Sequence, residues 1–217
     1  MASILVNGYS PEVEPHPNVG GLIQPRNWAQ ARPWVEARRL WAVDNDYKRF
    51  DATRFVRLLR LIRAEHPDPT TSGCLFVAVP DVYRDHAATL ALWRKWRDQV
   101  WGFDMPLAFV VQNGAHLSNV PWRDFRTVWR GAAYYTGAIF VGGDTAWKMG
   151  DEAAAIVRVA NSLGLWTHVG RCNSLARIRH AKEIGADSVD GGGFSQFRKH
   201  LAWGAPAAAA EYQPRLL

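Results

Sequence analysis

LWTHVGRCNSLARIRHAKEIGADSVDGGG, residues 165–193, is the stretch whose reading decides the fold. It holds two short apolar runs, LWTHV and DSVD, on either side of NSLARIRHAKEIG. That middle segment reads as a helix begun by Asn173 or Ser174 and closed by Gly185. Two strands joined through a helix run parallel, because the chain must return to the same end of the sheet before the second strand can start. The preceding segment repeats the design: DEAAAIVRVANSLG, residues 151–164, is a helix ending on Gly164. Further back, Phe55, Leu58, Leu59 and Ile62 fall at helical spacing behind Asp51, a fitting N-cap.

The same alternation runs from residue 40 onward, where LWAV, CLFVAV, LAFVV and AIFV are each followed by a helix-like segment. Adding SILV and GLIQ near the start brings the strands to eight, which predicts an α/β fold, a compact (β/α)8 TIM-type barrel. An open doubly wound sheet is the rival. No Gly-x-Gly-x-x-Gly follows a first strand, so its dinucleotide-binding form lacks support. One domain over 1–217 is expected, with 1–39 its least sharply patterned part and 204–217 an Ala/Pro-biased, loosely attached tail.

At 48% hydrophobic and 21% charged residues the chain can bury a core of its own. Twenty-six Lys and Arg against 20 Asp and Glu give a net charge of +6, which favours a polyanionic partner without identifying one. Cys74 and Cys172 lie far apart, which argues against a disulfide framework or a Cys-rich zinc site and for a reducing, cytoplasmic compartment. No apolar run approaches the roughly 20 residues that span a bilayer. The first residues lack a basic segment followed by a long apolar one, so neither a membrane nor export is expected.

In a parallel barrel the functional groups stand where strands finish. Those ends supply Asp44 after LWAV, Asp81 after CLFVAVP, Gln112 after LAFVV, and Gly142, Gly143 and Asp144 after AIFV. They also supply His168 and Arg171 around THVGR, and Asp190 after DSV. An acid after a strand is often the N-cap of the next helix, the plain alternative for Asp44, Asp81 or Asp144 taken singly. His168 reads equally well as a core histidine, Cys172 as a small buried residue and Asp187 as structural. Asp190 before three glycines, and Gln112 before Asn-Gly, do not look like helix starts.

In sequence order the segments VDNDYKRF, VPD, VVQNG, FVGGDTAWK and HVGRCNSLARIRHAKEIGADSVDGG resemble the tRNA-guanine transglycosylase superfamily over residues 40–194. The zinc signature of the tRNA enzymes is absent and the chain is much shorter. It therefore looks closest to the small zinc-free DNA 7-deazaguanine transglycosylases of phages and bacteria (DpdA-like), and a barrel without a zinc subdomain is expected. The resemblance implies exchange of guanine in DNA for a free 7-deazaguanine base, such as 7-cyano-7-deazaguanine, with no cofactor. It also allows a homodimer, and it implies a bacterial cell or phage-infected host.

By that resemblance Asp190 is the nucleophile that takes the sugar as a covalent intermediate, and Gly191–Gly193 would keep its flank free of bulk. Asp44 aligns with the general acid/base, although the family's Ser-Gly-Gly-Phe is NDYKRF here and Asp46 could stand in. Asp81 is similar to the reader of the guanine N1–H and amino edge, while Gln112 and the backbone N–H of Gly143, beside Gly142, are similar to the groups that hold O6. A duplex base must be flipped to reach such a pocket, so the phosphate contacts would come from Arg171, Lys148, Arg198 and Lys199. Trp93, Trp96, Trp122 and Trp129 read as helix-packing residues. Exchange on tRNA and a non-catalytic nucleic-acid-binding subunit are the alternatives to DNA base exchange.

Overall fold

The structure, a computed structural model, describes residues 2–66, 68, 72–129 and 132–210. Eight parallel strands close into a barrel in the order β1-β10-β9-β8-β5-β4-β3-β2. They are β1 (Ser3–Val6), β2 (Val19–Ile23), β3 (Trp41–Val43), β4 (Cys74–Ala78), β5 (Leu107–Val111), β8 (Ala138–Val141), β9 (Trp166–Val169) and β10 (Ser188–Asp190). These are the eight runs read from the sequence, so the barrel stands and the open-sheet rival falls. Between β5 and β8 a two-stranded antiparallel hairpin, β6 (Arg126–Trp129) and β7 (Ala132–Tyr135), lies outside the barrel.

The helices are α1 (Trp28–Glu36), α2 (Ala52–Glu65), α3 (His86–Trp101), α4 (Thr145–Lys148), α5 (Asp151–Ser162), α6 (Leu175–Glu183), α7 (Gly192–Gln196) and α8 (Leu201–Ala209). Their starts follow local hydrogen bonding: Asp51 caps α2 at the Arg54 N–H, Asp85 caps α3, Asp144 caps α4 and Ser174 caps α6. Gly164 and Gly185 close α5 and α6 at φ of 75° and 93°, the left-handed conformation that a glycine adopts without strain. Two readings of the sequence are corrected here. Trp122 lies in a 3-10 turn and Trp129 on β6, not on a helix as Trp93 and Trp96 do, and the side chain of Trp129 is outside the described residues. In the tail, α8 is firmly seated: Ala205 and Ala208 are buried, and the Asn18 amide donates to the Ala205 carbonyl. Small side chains let this helix lie close to β1 and α6; residues 211–217 are outside the described residues.

Strand alternation divides the apolar residues into two layers. One set faces the helices and forms the main core, with Trp34, Trp41, Phe55, Trp93 and Phe109 among its largest members. The other set, Leu5, Leu22, Ala42, Phe76, Ala108 and Ala138, fills the barrel interior with Phe140 and Trp166. Mixing alanines with two phenylalanines suits a barrel this narrow. The same period of two carries on past the interior layer. Asp44 is two beyond Ala42, Val110 and Gln112 two and four beyond Ala108, and Gly142 two beyond Phe140; Gly170 and Asp190 are likewise two beyond His168 and Ser188. The inward-facing register therefore delivers the polar residues to the C-terminal mouth.

Candidate active site

A narrow cavity of about 80 Å³ opens at that mouth, with Asp44, Asp81, Gln112, Gly142, Gly143, Lys148, Arg171 and Asp190 in its walls. All the residues predicted to be catalytic or base-binding thus meet in one place. Leu22, Val110 and Phe140 give the cavity an apolar floor, and Tyr47 and Tyr83, 5.6 Å apart between ring centres, add aromatic wall. Sequence reasoning missed these five. The strand alternation could have found Leu22, Val110 and Phe140, but nothing local marks the two tyrosines.

Asp190 is held by its own carboxylate oxygen. Oδ1 accepts from the Arg171 backbone N–H at 2.9 Å and contacts His168 Nε2 at 3.2 Å. The histidine is fully buried, and behind it Ser188 Oγ accepts from Trp166 Nε1 at 2.9 Å and meets His168 Nδ1 at 2.9 Å. A carboxylate oxygen only accepts, so Nε2 carries the hydrogen donated to Asp190 Oδ1, and in the neutral imidazole Nδ1 is then the acceptor of the serine hydroxyl. A chain Trp166–Ser188–His168–Asp190 therefore links the neighbouring strands β9 and β10, and His168 is a positioning residue beneath the carboxylate. We expect Ser188→Ala to cost about 2 kcal/mol of stability, because it leaves Trp166 Nε1 and His168 Nδ1 buried without partners. Urea unfolding would measure this.

The glycines after Asp190 do something other than the sequence suggested. They are the beginning of α7, and Gly191 has an extended φ of −170° that any residue adopts. A Cβ there would come within 2.6 Å of Asn173 Oδ1, which accepts the Gly193 N–H at 2.8 Å. At Gly191 glycine is needed so that the β9–α6 loop can close over the turn, whereas a Cβ on Gly192 would meet nothing within 4 Å.

Asp44 accepts from Gln24 Nε2 at 2.9 Å. Burial pushes its carboxyl above the usual range; the Gln24 hydrogen bond opposes this, and the charge of Asp190 adds to it. Asp46, the stand-in for Asp44, instead pairs with Arg26 at 3.4 Å and lies outside the cavity wall. Since Asp51 and Asp85 cap the helices that follow, neither Asp44 nor Asp81 is a cap. Asp144 is one, and it also pairs with Arg84 at 3.2 Å.

Asp81 accepts from Asn45 Nδ2 at 2.7 Å on one oxygen and from Gln112 Nε2 at 2.6 Å on the other. Burial pushes it up to about 6 against the pull of both amides. Gln112 is itself fixed: its Oε1 accepts the N–H of Gly143 at 2.7 Å and of Arg84 at 3.0 Å. Arg84 and Arg171 both have left-handed backbones, with φ of 64° and 60°, and in both the strained residue supplies an N–H to the site.

The residues predicted to contact phosphate separate. Lys148 is only 3% exposed, and its Nζ donates to the Gly170 carbonyl. The one-turn helix α4 folds it back into the cavity, so it is no surface charge. Arg171 stacks on Tyr83, 4.5 Å from ring centre to guanidinium carbon, and donates to the Gly143 carbonyl. Lys199 is exposed, while the side chain of Arg198 lies outside the described residues. Lys48, Arg49 and Arg84 are exposed cations beside cavity residues that the sequence reading passed over. Among the described residues no group of three or more His, Cys, Asp or Glu side chains could hold a metal ion, and no helix is long and apolar enough to cross a membrane. Cys172 is buried, and burial pushes its thiol up to about 12.

Fold and site define a parallel (β/α)8 barrel with a carboxylate-lined pocket at its C-terminal mouth. No family model and no curated protein matches the chain. Among solved structures it is similar to one titled native KDPGal, with a TM-score of 0.51 and 13% identity over 95% of this chain and 91% of that one. It is also similar to Klebsiella pneumoniae BlrP1 in a calcium/cy-diGMP complex, with a TM-score of 0.46 and 15% identity over 77% of this chain. The chain spans 41% of the length of that protein. At 13% identity the likeness to the KDPGal structure bears on the barrel fold alone and says nothing about the reaction.

Proposed function

We propose that this chain is a DNA-guanine transglycosylase, which exchanges guanine in DNA for a 7-deazaguanine through a sugar covalently bound to Asp190. The observation that carries the reading is the sharing of one narrow pocket by Asp44 and Asp190, with Asp81 on another wall. Both hydrogen bonds to Asp190 fall on Oδ1, which leaves Oδ2 to attack C1′ of a flipped nucleotide. As the O–C1′ bond forms, the C1′–N9 bond breaks and its electron pair leaves with guanine. Asp44, whose hold on a proton burial strengthens, delivers a proton to the departing base. The incoming base gives its proton back to Asp44 and displaces the carboxylate, so the anomeric configuration is retained.

Asp81 suits the N1–H and amino edge, since a carboxylate accepts from both. Gln112 keeps a second amide hydrogen for O6, whereas the Gly143 N–H, predicted for that role, is already given to Gln112 Oε1 and serves to fix the amide. Tyr47 and Tyr83 offer faces for stacking. Asp81 must be ionised to accept, so binding of free guanine is expected to weaken about tenfold per pH unit below about 6. Calorimetric titration from pH 5 to 8 checks this. For folding the sign is opposite. A carboxyl raised in the folded state holds its proton more tightly there, so its contribution to stability is lost as pH rises through about 6.

The test incubates the protein with radiolabelled guanine and, separately, duplex DNA, single-stranded DNA or tRNA. Label entering DNA is the expected result. Label entering tRNA alone would replace the polymer in this reading, and no label in any polymer from folded protein would refute exchange.

A further inference from the structure

On the helix side of β9 lies a second, much smaller space, a crevice of about 10 Å³ between Val169, the end of α4 and one face of α6. Lys148 separates it from the mouth, because the same side chain lines both cavities. Its other walls include Met149, Cys172, Arg177 and His180. Among the described residues no acidic side chain lines it.

The charges around it do not balance. Lys148 is buried and makes no salt bridge among the described residues; the Gly170 carbonyl accounts for one of its three ammonium hydrogens. Arg177 makes none either, and its Nη1 donates to the Arg171 carbonyl at 3.3 Å. Asp144 and Asp190 are engaged elsewhere, the first with Arg84 and the cap of α4, the second with the Arg171 N–H and His168. Burial pushes the Lys148 ammonium below its usual range, and the charges of Arg171 and Arg177 push the same way. His180 Nε2 is also buried there without a hydrogen-bond partner among the described residues, whereas the Cys172 thiol already donates to the Val169 carbonyl. A buried cation without a counter-charge is costly, and a ligand of opposite charge relieves it. We infer that this crevice is a halide site, in which one chloride ion is held by the Lys148 ammonium, the Arg177 guanidinium and the His180 Nε2–H. Size and charge choose the ion. Room for about one water-sized sphere admits a monatomic anion and excludes phosphate or a carboxylic acid anion. Water would satisfy the donors and leave the two cations uncompensated.

The test reads stability and needs no substrate. Chloride or bromide replaces gluconate, an anion too large for the crevice, up to about 300 mM at constant ionic strength while the melting temperature is followed. Both halides are expected to raise it by about 5 °C, with half-saturation at about 10 mM. A crystal soaked in bromide should show an anomalous peak within hydrogen-bond reach of Lys148 Nζ and the Arg177 guanidinium. Lys148→Met should abolish the halide increment and melt in gluconate no lower than the wild-type chain, because it removes the unpaired charge. A merely structural lysine would lower the melting temperature equally in all three salts.

A wild-type melting temperature that ignores the replacement of gluconate by halide overturns the inference, and so does a crevice without bromide density. A halide increment that survives in a folded Lys148→Met also overturns it, by placing the ion elsewhere. Should Lys148→Met fail to fold, Arg177→Gln makes the same comparison, with half-saturation expected to rise about tenfold. Neither DNA nor a base enters the experiment, so the halide site and the exchange reading stand or fall separately.

Discussion

Asp190→Ala is expected to lower incorporation of labelled guanine into DNA by at least about four orders of magnitude, because the reaction loses the atom that bonds to the sugar. The loss should appear in turnover and not in binding: in the proposed reaction Asp81 and Gln112 would hold the base from other strands, so the affinity for free guanine should change by less than about threefold. A second readout separates chemistry from folding. Wild-type protein mixed with guanine-containing DNA and no acceptor base should leave a protein–DNA adduct that survives denaturing electrophoresis, and the variant should leave none. The variant removes the acceptor for His168 Nε2 and the Arg171 N–H, so its melting temperature must be measured alongside. An adduct that persists in Asp190→Ala would move the nucleophile elsewhere, to Asp44 or Asp81, which line the same cavity.

Asp44→Asn should slow exchange by about 10²–10³, the usual worth of a positioned acid/base. Asparagine fills the same space and keeps a partner in Gln24, but it has no proton to deliver. The pH profile carries the sign. Departure of the base needs Asp44 protonated, so wild-type turnover should fall as pH rises through its raised pKa, and the Asp44→Asn variant should lose that limb. A leaving base of lower basicity, which needs less help from a proton, should be affected less by the substitution. Equal slowing for good and poor leaving bases would assign Asp44 a structural role.

The site was half legible. Acids at strand ends are visible in any βα repeat, and the motif order from VDND to DSVDGG arranged four of them, Asp44, Asp81, Asp144 and Asp190, with Gln112. Which acids were caps was not visible, since each stands before a helix. Asp144 caps α4, but Asp44 and Asp81 are relieved of that role by Asp51 and Asp85 a few residues later. The hairpin β6–β7 was missed because it lies outside the βα rhythm, and its Trp129 was assigned by helical spacing.

Sequence by itself determined the eight strands, their parallel direction and the caps at Asp51, Gly164 and Gly185, and it narrowed the start of α6 to Asn173 or Ser174. These depend on patterns within about fifteen residues, which local backbone physics reads. Tertiary structure alone decided what surrounds each functional group. His168 became the support of Asp190 through Ser188 and Trp166, on neighbouring strands whose register no local pattern specifies. Lys148, on a helix of one turn, was read as a phosphate contact and proved buried, because the capping of α4 by Asp144 turns its last residue back over the barrel mouth. Burial and partnership are properties of distant segments brought together, so the charge of a lysine or the proton of an aspartate is settled only when the barrel closes.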